Sequence, residues 1–113
     1  MTITQLEPLM ELPVFLMVES TPNPSEMEAM QDYVSQATRI TKKYGGVTIA
    51  TYHVEKMLEK VCKGDKAAKF SVISFPNRDA IKALFCDPVY KALAVKRDLG
   101  FSHLRYHLVN EPI

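Results

Sequence analysis

One stretch decides the fold of this 113-residue chain: KFSVISFPNRDAIKALFCDPVYKALAVKRDLGFSHLRYHLV, residues Lys69 to Val109. It opens on KFSVISF, whose Val, Ile and Phe residues predict a strand from Lys69 to Phe75 that Pro76 ends. It closes on HLRYHLV, which predicts another strand from His103 to Val109. The residues between the two strands have helical character, so the stretch predicts a strand, helix, strand unit.

Two capped helices are predicted between these strands. The side chain of Asn77 can accept a hydrogen bond from a free backbone amide, which predicts a short helix through Phe85. Asp87-Pro88 then caps and starts a second helix, because proline fits the first helical turn, where its missing N–H costs nothing. We expect this second helix to reach about Asp98 and to stop at Gly100.

The N-terminal half of the chain repeats the same order. Residues Pro13 to Glu19, PVFLMVE, predict a buried central strand. Ser25 and Glu28 have the spacing of a capping box, which predicts the start of a helix, and Gly45-Gly46 predicts its end. From Val47 the period changes to alternation, which predicts a strand to about Leu58, followed by a polar hairpin loop. The helix would turn one stripe to the sheet, made of Met27, Met30, Val34, Ala37 and Thr41, widened by Tyr33, Ile40 and Tyr44.

The order strand, helix, strand, strand, helix, strand predicts the ferredoxin-like split βαβ fold, of class α+β. Its four-stranded antiparallel sheet carries helices on one face only. Large apolar residues occur at both parities of Val14 to Val18 and of Phe70 to Phe75, so the bare face would be apolar in either register. An exposed apolar face needs a partner, and we therefore predict a homodimer with two sheets packed face to face, a dimeric α+β barrel.

Composition limits the classes of partner. The chain carries fourteen basic and thirteen acidic side chains, a formal charge of +1, so no global field favours nucleic acid or an anionic membrane. Its two cysteines are too few for a disulfide framework, and we expect both thiols to be reduced. We expect a homodimer, a possible small-molecule ligand, and neither nucleic acid nor membrane as a partner.

The N-terminus also bears on location and domain organisation. Met1 to Pro13 contains no Lys or Arg and is broken by Pro8 and Pro13, so it predicts neither a signal peptide nor a membrane span. The cytoplasm is the expected location. We expect residues 1–12 to be an N-terminal extension and residues 13–113 to form a single ferredoxin-like domain.

Several motifs resemble those of a known family. They are KYGG (Lys43 to Gly46), VEKMLE (Val54 to Glu59), SFPNRDA (Ser74 to Ala80), DPVYKALAVKR (Asp87 to Arg97) and RYHLV (Arg105 to Val109). They resemble a family of small dimeric α+β-barrel proteins known only as a domain of unknown function, related to antibiotic-biosynthesis-type monooxygenases. The chain departs from the family pattern after Glu59, where glycine and an aspartate-tryptophan pair would follow, and it contains no Trp. The resemblance implies the fold and a dimer, and no named reaction.

Tyr90 and Arg97 are the first candidates for a ligand site. They are seven residues apart on one predicted helix, about two turns, and therefore share a face. If that face looks onto the sheet, Arg97 could grip a carboxylate or enolate while Tyr90 donates a hydrogen bond to it. The alternative is structural, with Tyr90 in the core and Arg97 closing the helix end.

The histidines and Arg105 give a second set of candidates. Arg105 shares one strand face with His103 and His107, and this basic row could line an anionic pocket or lie at the dimer contact, paired with Glu19 or Glu55. His53 is a further candidate for ligand binding. No Cys or Asp accompanies the histidines at a spacing diagnostic of metal binding, so we expect no metal site.

The sequence gives little support for a nucleophilic enzyme or for a nucleotide-binding enzyme. Cys86 follows Leu84-Phe85 and is expected to be buried and inert, and Cys62 lies in a lysine-rich loop with no oriented base. No Ser-His-Asp pattern, P-loop or dinucleotide fingerprint occurs, and we expect no cofactor.

Three functions remain open at this point. The main hypothesis is a dimeric barrel protein that binds a small apolar or anionic molecule between helices and sheet, with Tyr90, Arg97, His53 and Arg105 as binding residues. The second is a cofactor-independent monooxygenase or isomerase, in which His53, Tyr90 or Arg97 would position or deprotonate the substrate. The third is a structural or interaction module without a ligand. A closed cavity separates the first two from the third, and a titratable base near the ligand separates the first from the second.

Overall fold

The computed structural model describes residues 13–64 and 66–110, so the predicted N-terminal extension lies outside the described residues. Four strands form one antiparallel sheet in the order β2-β3-β1-β4. This order and the alternation of strands with helices confirm the predicted ferredoxin-like α+β fold. The strands are β1 (Val14–Pro22), β2 (Val47–His53), β3 (Lys69–Phe75) and β4 (Phe101–Val109).

The helices cover one face of this sheet. Alternate residues of β1 show which face, because Val14 and Leu16 are buried together with helical residues such as Tyr33, Ile81 and Leu84. Within the described residues, no helix has the length and apolar character needed to cross a membrane. The helices are α1 (Met27–Lys43), α2 (Arg78–Cys86), α3 (Pro88–Lys91) and α4 (Ala94–Gly100).

The stripe of α1 that reaches the core is centred differently from the prediction. Tyr33 and Ile40 are its buried residues, whereas Met27 and Val34 are exposed. The large side chains that were expected to widen the stripe therefore lie at its centre, because Tyr33 and Ile40 pack against the core that β1 and α2 share.

The predicted capping box at the start of α1 is wrong, whereas the predicted stop is confirmed. The side chain of Asn23 accepts from the Ser25 amide at 3.1 Å and caps a short 3-10 turn, Pro24–Glu26, and no side chain caps α1 itself. At the other end Gly45 adopts φ +83°, and the amides of Gly45 and Gly46 donate to the carbonyls of two residues in the last turn. This is the Schellman geometry, which favours glycine at the left-handed position.

Strand β2 ends at His53, five residues before the predicted Leu58. It is an edge strand whose neighbour is β3, and the last paired residues are His53 and Lys69, where β3 begins. Residues beyond His53 have no strand to pair with, and after the Val54 amide donates to Ala68 at 2.8 Å the chain continues as an exposed loop. The alternating sequence pattern of β2 continues beyond His53, but the pairing strand β3 does not.

The predicted second helix is broken in two, which is also a correction. Asp87 caps its start as expected, because its carboxylate accepts from the Val89 amide at 2.7 Å. The break lies at Leu93, whose amide donates to Tyr90 at 2.9 Å in a tighter turn before α4 begins. Tyr90 and Leu93 are both buried, so the tighter turn directs two neighbouring large side chains into one core. Strand β4 then begins at Phe101, two residues before the predicted start.

Candidate functional site

A cavity of about 260 Å³ lies between the helices and the sheet. Several of its lining residues have small side chains, among them Ser20 of β1, Ser71 of β3 and Ala37 of α1, and small side chains leave space between the packed elements. The lining residues of α1 and β2 near the sheet edge, among them Thr38 and Thr51, are exposed. The mouth therefore lies between α1 and the edge strand β2.

The wall of the cavity is apolar with many hydroxyl groups. Among the described residues, nine of the nineteen that line it are Ser, Thr or Tyr, and Lys69 is the one charged side chain. No carboxylate and no imidazole of the described residues lines it. The hydroxyl-bearing residues are Ser20, Tyr33, Thr38, Thr41, Thr48, Thr51, Ser71, Tyr90 and Tyr106.

Three tyrosine hydroxyls meet at the inner end of the cavity. The Tyr33 hydroxyl oxygen lies 2.9 Å from that of Tyr90 and 2.5 Å from that of Tyr106. The Tyr90 and Tyr106 hydroxyl oxygens lie farther apart, at 3.4 Å. We call Tyr33, Tyr90 and Tyr106 the tyrosine cluster; they come from α1, α3 and β4, so the fold assembles it from three distant segments.

Two members of the tyrosine cluster, Tyr33 and Tyr106, keep their protons at neutral pH. Burial raises the pKa of the Tyr106 hydroxyl, and the charged form of Tyr33 beside it would raise it further. Burial likewise raises the pKa of Tyr33. Phenols whose pKa is raised keep their protons at neutral pH, so this end of the cavity can donate hydrogen bonds but holds no ready base.

Phenylalanine rings surround the tyrosine cluster. Phe85 packs edge-on against Tyr90 and Tyr106, with ring centres 5.4 and 5.3 Å apart, and Phe101 packs edge-on against Tyr33 at 5.8 Å. Edge-to-face contacts at these distances are the favoured aromatic geometry. The rings hold the three hydroxyls in an apolar setting.

Of the four predicted binding residues, one lines the cavity and three do not. Tyr90 is buried and lines the cavity. Arg97 does not line it; its side chain is 29% exposed and its Nε donates to Asp98 at 3.0 Å. Burial lowers the pKa of Arg97, but hydrogen bonding to Tyr90 and Asp98 outweighs it and raises that pKa above its ordinary value. Arg97 therefore lies outside the cavity wall.

The other two candidates lie elsewhere. His53 is exposed, pairs with Lys69 in the sheet register and does not line the cavity. Arg105 stands opposite Glu19 on the sheet face that points away from the helices. We call that surface the outer face, formed by Phe15, Met17, Glu19, Tyr52, Phe70, Val72, His103, Arg105, His107 and Val109.

A polar cluster occupies the β4 side of the outer face. His107 Nε2 lies 2.6 Å from one Glu19 oxygen, and His103 Nε2 lies 3.4 Å from the other. The hydrogen bond to His107 is the largest cause that lowers the pKa of Glu19, with His103 adding to it against the cost of burial. Among the described residues, no three His, Cys, Asp or Glu side chains are grouped as a metal ion requires.

The prediction for Cys86 is wrong, since its side chain is exposed at the end of α2. Its neighbours Leu84 and Phe85 turn toward the core and the cavity, and a helix that directs them inward leaves the next position facing solvent.

Sequence reasoning missed Tyr33 and Tyr106 as site residues. Tyr33 was assigned to the helix stripe, and Tyr106 was part of a strand motif with no role of its own. The available signal was alternation in β4, which places Tyr106 on the face opposite to His103, Arg105 and His107 and therefore toward the helices.

Comparisons with known proteins agree with this architecture. Residues 14–111 match the family described as Domain of unknown function (DUF1330). A search of curated proteins finds no match. The chain is similar in structure to RPA0582, a protein of unknown function from Rhodopseudomonas palustris, at 15% identity and a TM-score of 0.76, covering 100% of this chain and 96% of that one.

Two similar structures carry enzymatic names. SnoaB from Streptomyces nogalater, a cofactor-independent oxygenase, aligns at 11% identity and a TM-score of 0.59, covering 89% of this chain and 94% of that one. A putative antibiotic biosynthesis monooxygenase from Nitrosomonas europaea aligns at 9% identity and a TM-score of 0.60, covering 88% of this chain and 89% of that one. At these identities the likeness shows a shared fold.

Proposed function

We propose that this chain, which belongs to the family described as Domain of unknown function (DUF1330), binds a small, largely apolar molecule in the cavity between helices and sheet. The cavity of about 260 Å³ is near the lower end of the volumes of ligand pockets, so the molecule is small. An apolar wall with a few convergent polar groups is typical of such sites.

One observation carries this proposal: the cavity ends in hydrogen-bonded hydroxyls held among aromatic rings. Such an end offers a ligand both apolar contact and directed hydrogen bonds. Lys69 adds one positive charge elsewhere in the wall, which admits an anionic group on the ligand.

The proposed functional unit is a homodimer that packs two outer faces together. The central strands contribute Met17, Phe70 and Val72 to this face, and the strand register puts Met17 beside Val72. The edge strand extends the apolar area with Tyr52, which is 64% exposed. A contiguous apolar surface of this kind is rare on a monomer, and a second copy of the chain would cover it.

A cofactor-independent oxygenase is the second candidate. The fold shared with SnoaB, a cofactor-independent oxygenase from Streptomyces nogalater, favours it. Such a reaction needs a base that takes a proton from the substrate. Among the described lining residues no carboxylate or imidazole is present, and the raised pKa values of Tyr33 and Tyr106 make these phenols donors. The geometry therefore supports binding better than proton abstraction.

A thermal-shift screen tests the binding proposal. Small ketones, phenols and aromatic acids would be screened against the wild type and against Ala37→Phe, whose ring would occupy the cavity below α1. We expect stabilisation of the wild type, because a ligand that binds only the folded state raises the melting temperature, and no stabilisation of Ala37→Phe.

The matched control is Ala92→Phe, which adds the same ring at an exposed position outside the cavity. It should retain the wild-type response. If no compound stabilises the wild type, or if Ala37→Phe responds as the wild type does, the cavity is not the binding site, and the interaction module becomes the better description. Oxygen uptake with any compound that binds would favour the oxygenase.

A further inference from the structure

We propose that the Tyr106 hydroxyl is the group that binds an oxygen acceptor of the ligand, a carbonyl or carboxylate oxygen, and that Tyr90 and Tyr33 orient its proton toward that oxygen. This inference rests on the proposed binding function and adds the chemistry that the ligand must carry. Tyr106 lines the cavity, and so do Tyr33 and Tyr90.

The direction of donation within the tyrosine cluster supports this role. Each tyrosine hydroxyl has one proton to donate and an oxygen that can accept, so the three hydroxyls can donate in one direction, from Tyr90 toward Tyr106. Tyr90 can donate to Tyr33 at 2.9 Å, and Tyr33 can donate to Tyr106 at 2.5 Å. In this order the Tyr106 oxygen is already an acceptor and its own proton has no partner within the cluster.

The three hydroxyls can also donate in the opposite direction. An oxygen acceptor on the ligand would determine which of the two directions is favoured. Tyr106 can instead donate back to Tyr33, with Tyr33 donating to Tyr90, and the ring then closes through the Tyr90 to Tyr106 contact. That last contact is 3.4 Å long, at the weak limit for two hydroxyls. An acceptor in the cavity replaces this weak bond with a better one, so it favours the order in which Tyr106 donates outward.

The surroundings make this donor selective. Phe85 packs against the Tyr106 ring, and water is a poor competitor for a hydroxyl held among aromatic rings. No carboxylate of the described residues lines the cavity, so no acidic side chain competes for the proton. A ligand without an oxygen acceptor would leave the cluster with its weak 3.4 Å bond between Tyr90 and Tyr106, so such a ligand gains no hydrogen bond and binds less tightly.

The test uses two rigid probes that differ only in the acceptor: 9-fluorenone, which carries one carbonyl, and fluorene, which has the same rings without it. Calorimetric titration measures the affinity of the wild type and of Tyr106→Phe for each. We expect the wild type to bind fluorenone roughly 3- to 10-fold more tightly than fluorene, the range of one net hydrogen bond. Tyr106→Phe removes only the hydroxyl, so the ratio should fall to about 1 while fluorene binding is unchanged.

An infrared measurement keeps the test independent of the variant's folding. The carbonyl stretch of bound fluorenone should lie at lower frequency in the wild type than in an apolar solvent, because a hydrogen bond weakens the C=O bond. Tyr33→Phe, which interrupts the chain between Tyr90 and Tyr106, should reduce the shift without abolishing fluorene binding.

Two negative results are distinguishable. Equal affinity for both probes, with an unshifted carbonyl, would overturn the role of Tyr106 and leave the binding cavity in place. If neither probe binds the wild type, the proposed function fails, and this inference fails with it.

Discussion

Asp87 shows how one side chain joins two parts of the molecule. Its carboxylate accepts from the Val89 amide at 2.7 Å, from the Tyr44 hydroxyl at 2.5 Å and from Lys43 Nζ at 3.3 Å. It therefore caps α3 and also holds the C-terminal end of α1. The Tyr44 hydrogen bond is the largest cause, followed by the Val89 amide, that lowers the pKa of Asp87 to about 2.

Asp87→Asn should destabilise the protein and flatten its acid dependence. The pKa of Asp87 is lower in the folded state than its ordinary value of 3.8, so the ionised carboxylate stabilises the fold above that pH. This contribution is lost as the pH falls from about 4 to about 2. Melting temperatures across this range should fall less steeply in Asp87→Asn than in the wild type.

The control for this variant is Asp79→Asn, an exposed acid in the first turn of α2. It should follow the wild-type acid dependence. Parallel curves for the wild type and Asp87→Asn would contradict the assigned role of the Asp87 carboxylate.

At the same scale, the candidate site was only partly predictable. Tyr90 was a candidate because its seven-residue spacing from Arg97 placed both residues on one face of a predicted helix. Tyr33 and Tyr106 are 73 residues apart in sequence, and their hydrogen bond depends on how α1 crosses the sheet. A contact between segments that are distant in sequence cannot be predicted from the spacing of residues along the chain. The single helix on which the spacing of Tyr90 and Arg97 depends is broken between α3 and α4, and Arg97 does not line the cavity.

Among the elements, most boundaries that depend on adjacent residues were predicted, with the capping box at Ser25 as the exception, whereas boundaries that depend on tertiary contacts were not. The caps at Asn77 and Asp87 and the stop at Gly45 are confirmed, because each depends on a few adjacent backbone groups. The end of β2 and the break at Leu93 were missed, since the first depends on where β3 begins and the second on the core beneath. The alternating or helical pattern continues through both points.

Helices α1 and α4 approach each other closely at Gly100. A Cβ added to Gly100 would lie 2.6 Å from the Met30 Cα and 2.7 Å from its backbone nitrogen. Gly100→Ala should therefore push α4 from α1 and destabilise the protein by about 1 to 3 kcal/mol, the usual cost of overpacking. Chemical denaturation with urea measures the free energy of unfolding.

Ser35→Ala, an exposed substitution on α1, is the control and should change that free energy by less than about 0.5 kcal/mol. If Gly100→Ala were as stable as the wild type, the close approach of these two helices would not be a constraint on the fold.

In the whole molecule, the two faces of the sheet carry different sets of residues. Neighbouring residues of one strand serve opposite faces: Val18 lines the cavity, whereas Met17 belongs to the outer face. The same holds for Ile73 and Val72 in β3. We propose that the helix side binds the ligand and that the outer face self-associates.

Self-association should depend on the outer face alone. Light scattering of the wild type at micromolar concentration should give twice the 12.8 kDa mass of one chain. Val72→Lys places a charge at the centre of the outer face and should yield the monomer mass, because an unpaired charge is costly to bury. Val95→Lys, at a 70% exposed position on α4, should leave the dimer intact. A monomer mass for the wild type would contradict the proposed dimer.

The most direct test of the central claim is to find which face of the sheet meets the ligand. Methyl NMR spectra of the wild type, recorded with and without 9-fluorenone, compare pairs of neighbours: Val18 with Met17, and Ile73 with Val72. We predict that the methyl signals of Val18 and Ile73 shift on addition of the probe, together with that of Ala37, while those of Met17 and Val72 stay in place. Shifts confined to Met17 and Val72, or none at all, would contradict the assignment of the cavity as the binding site.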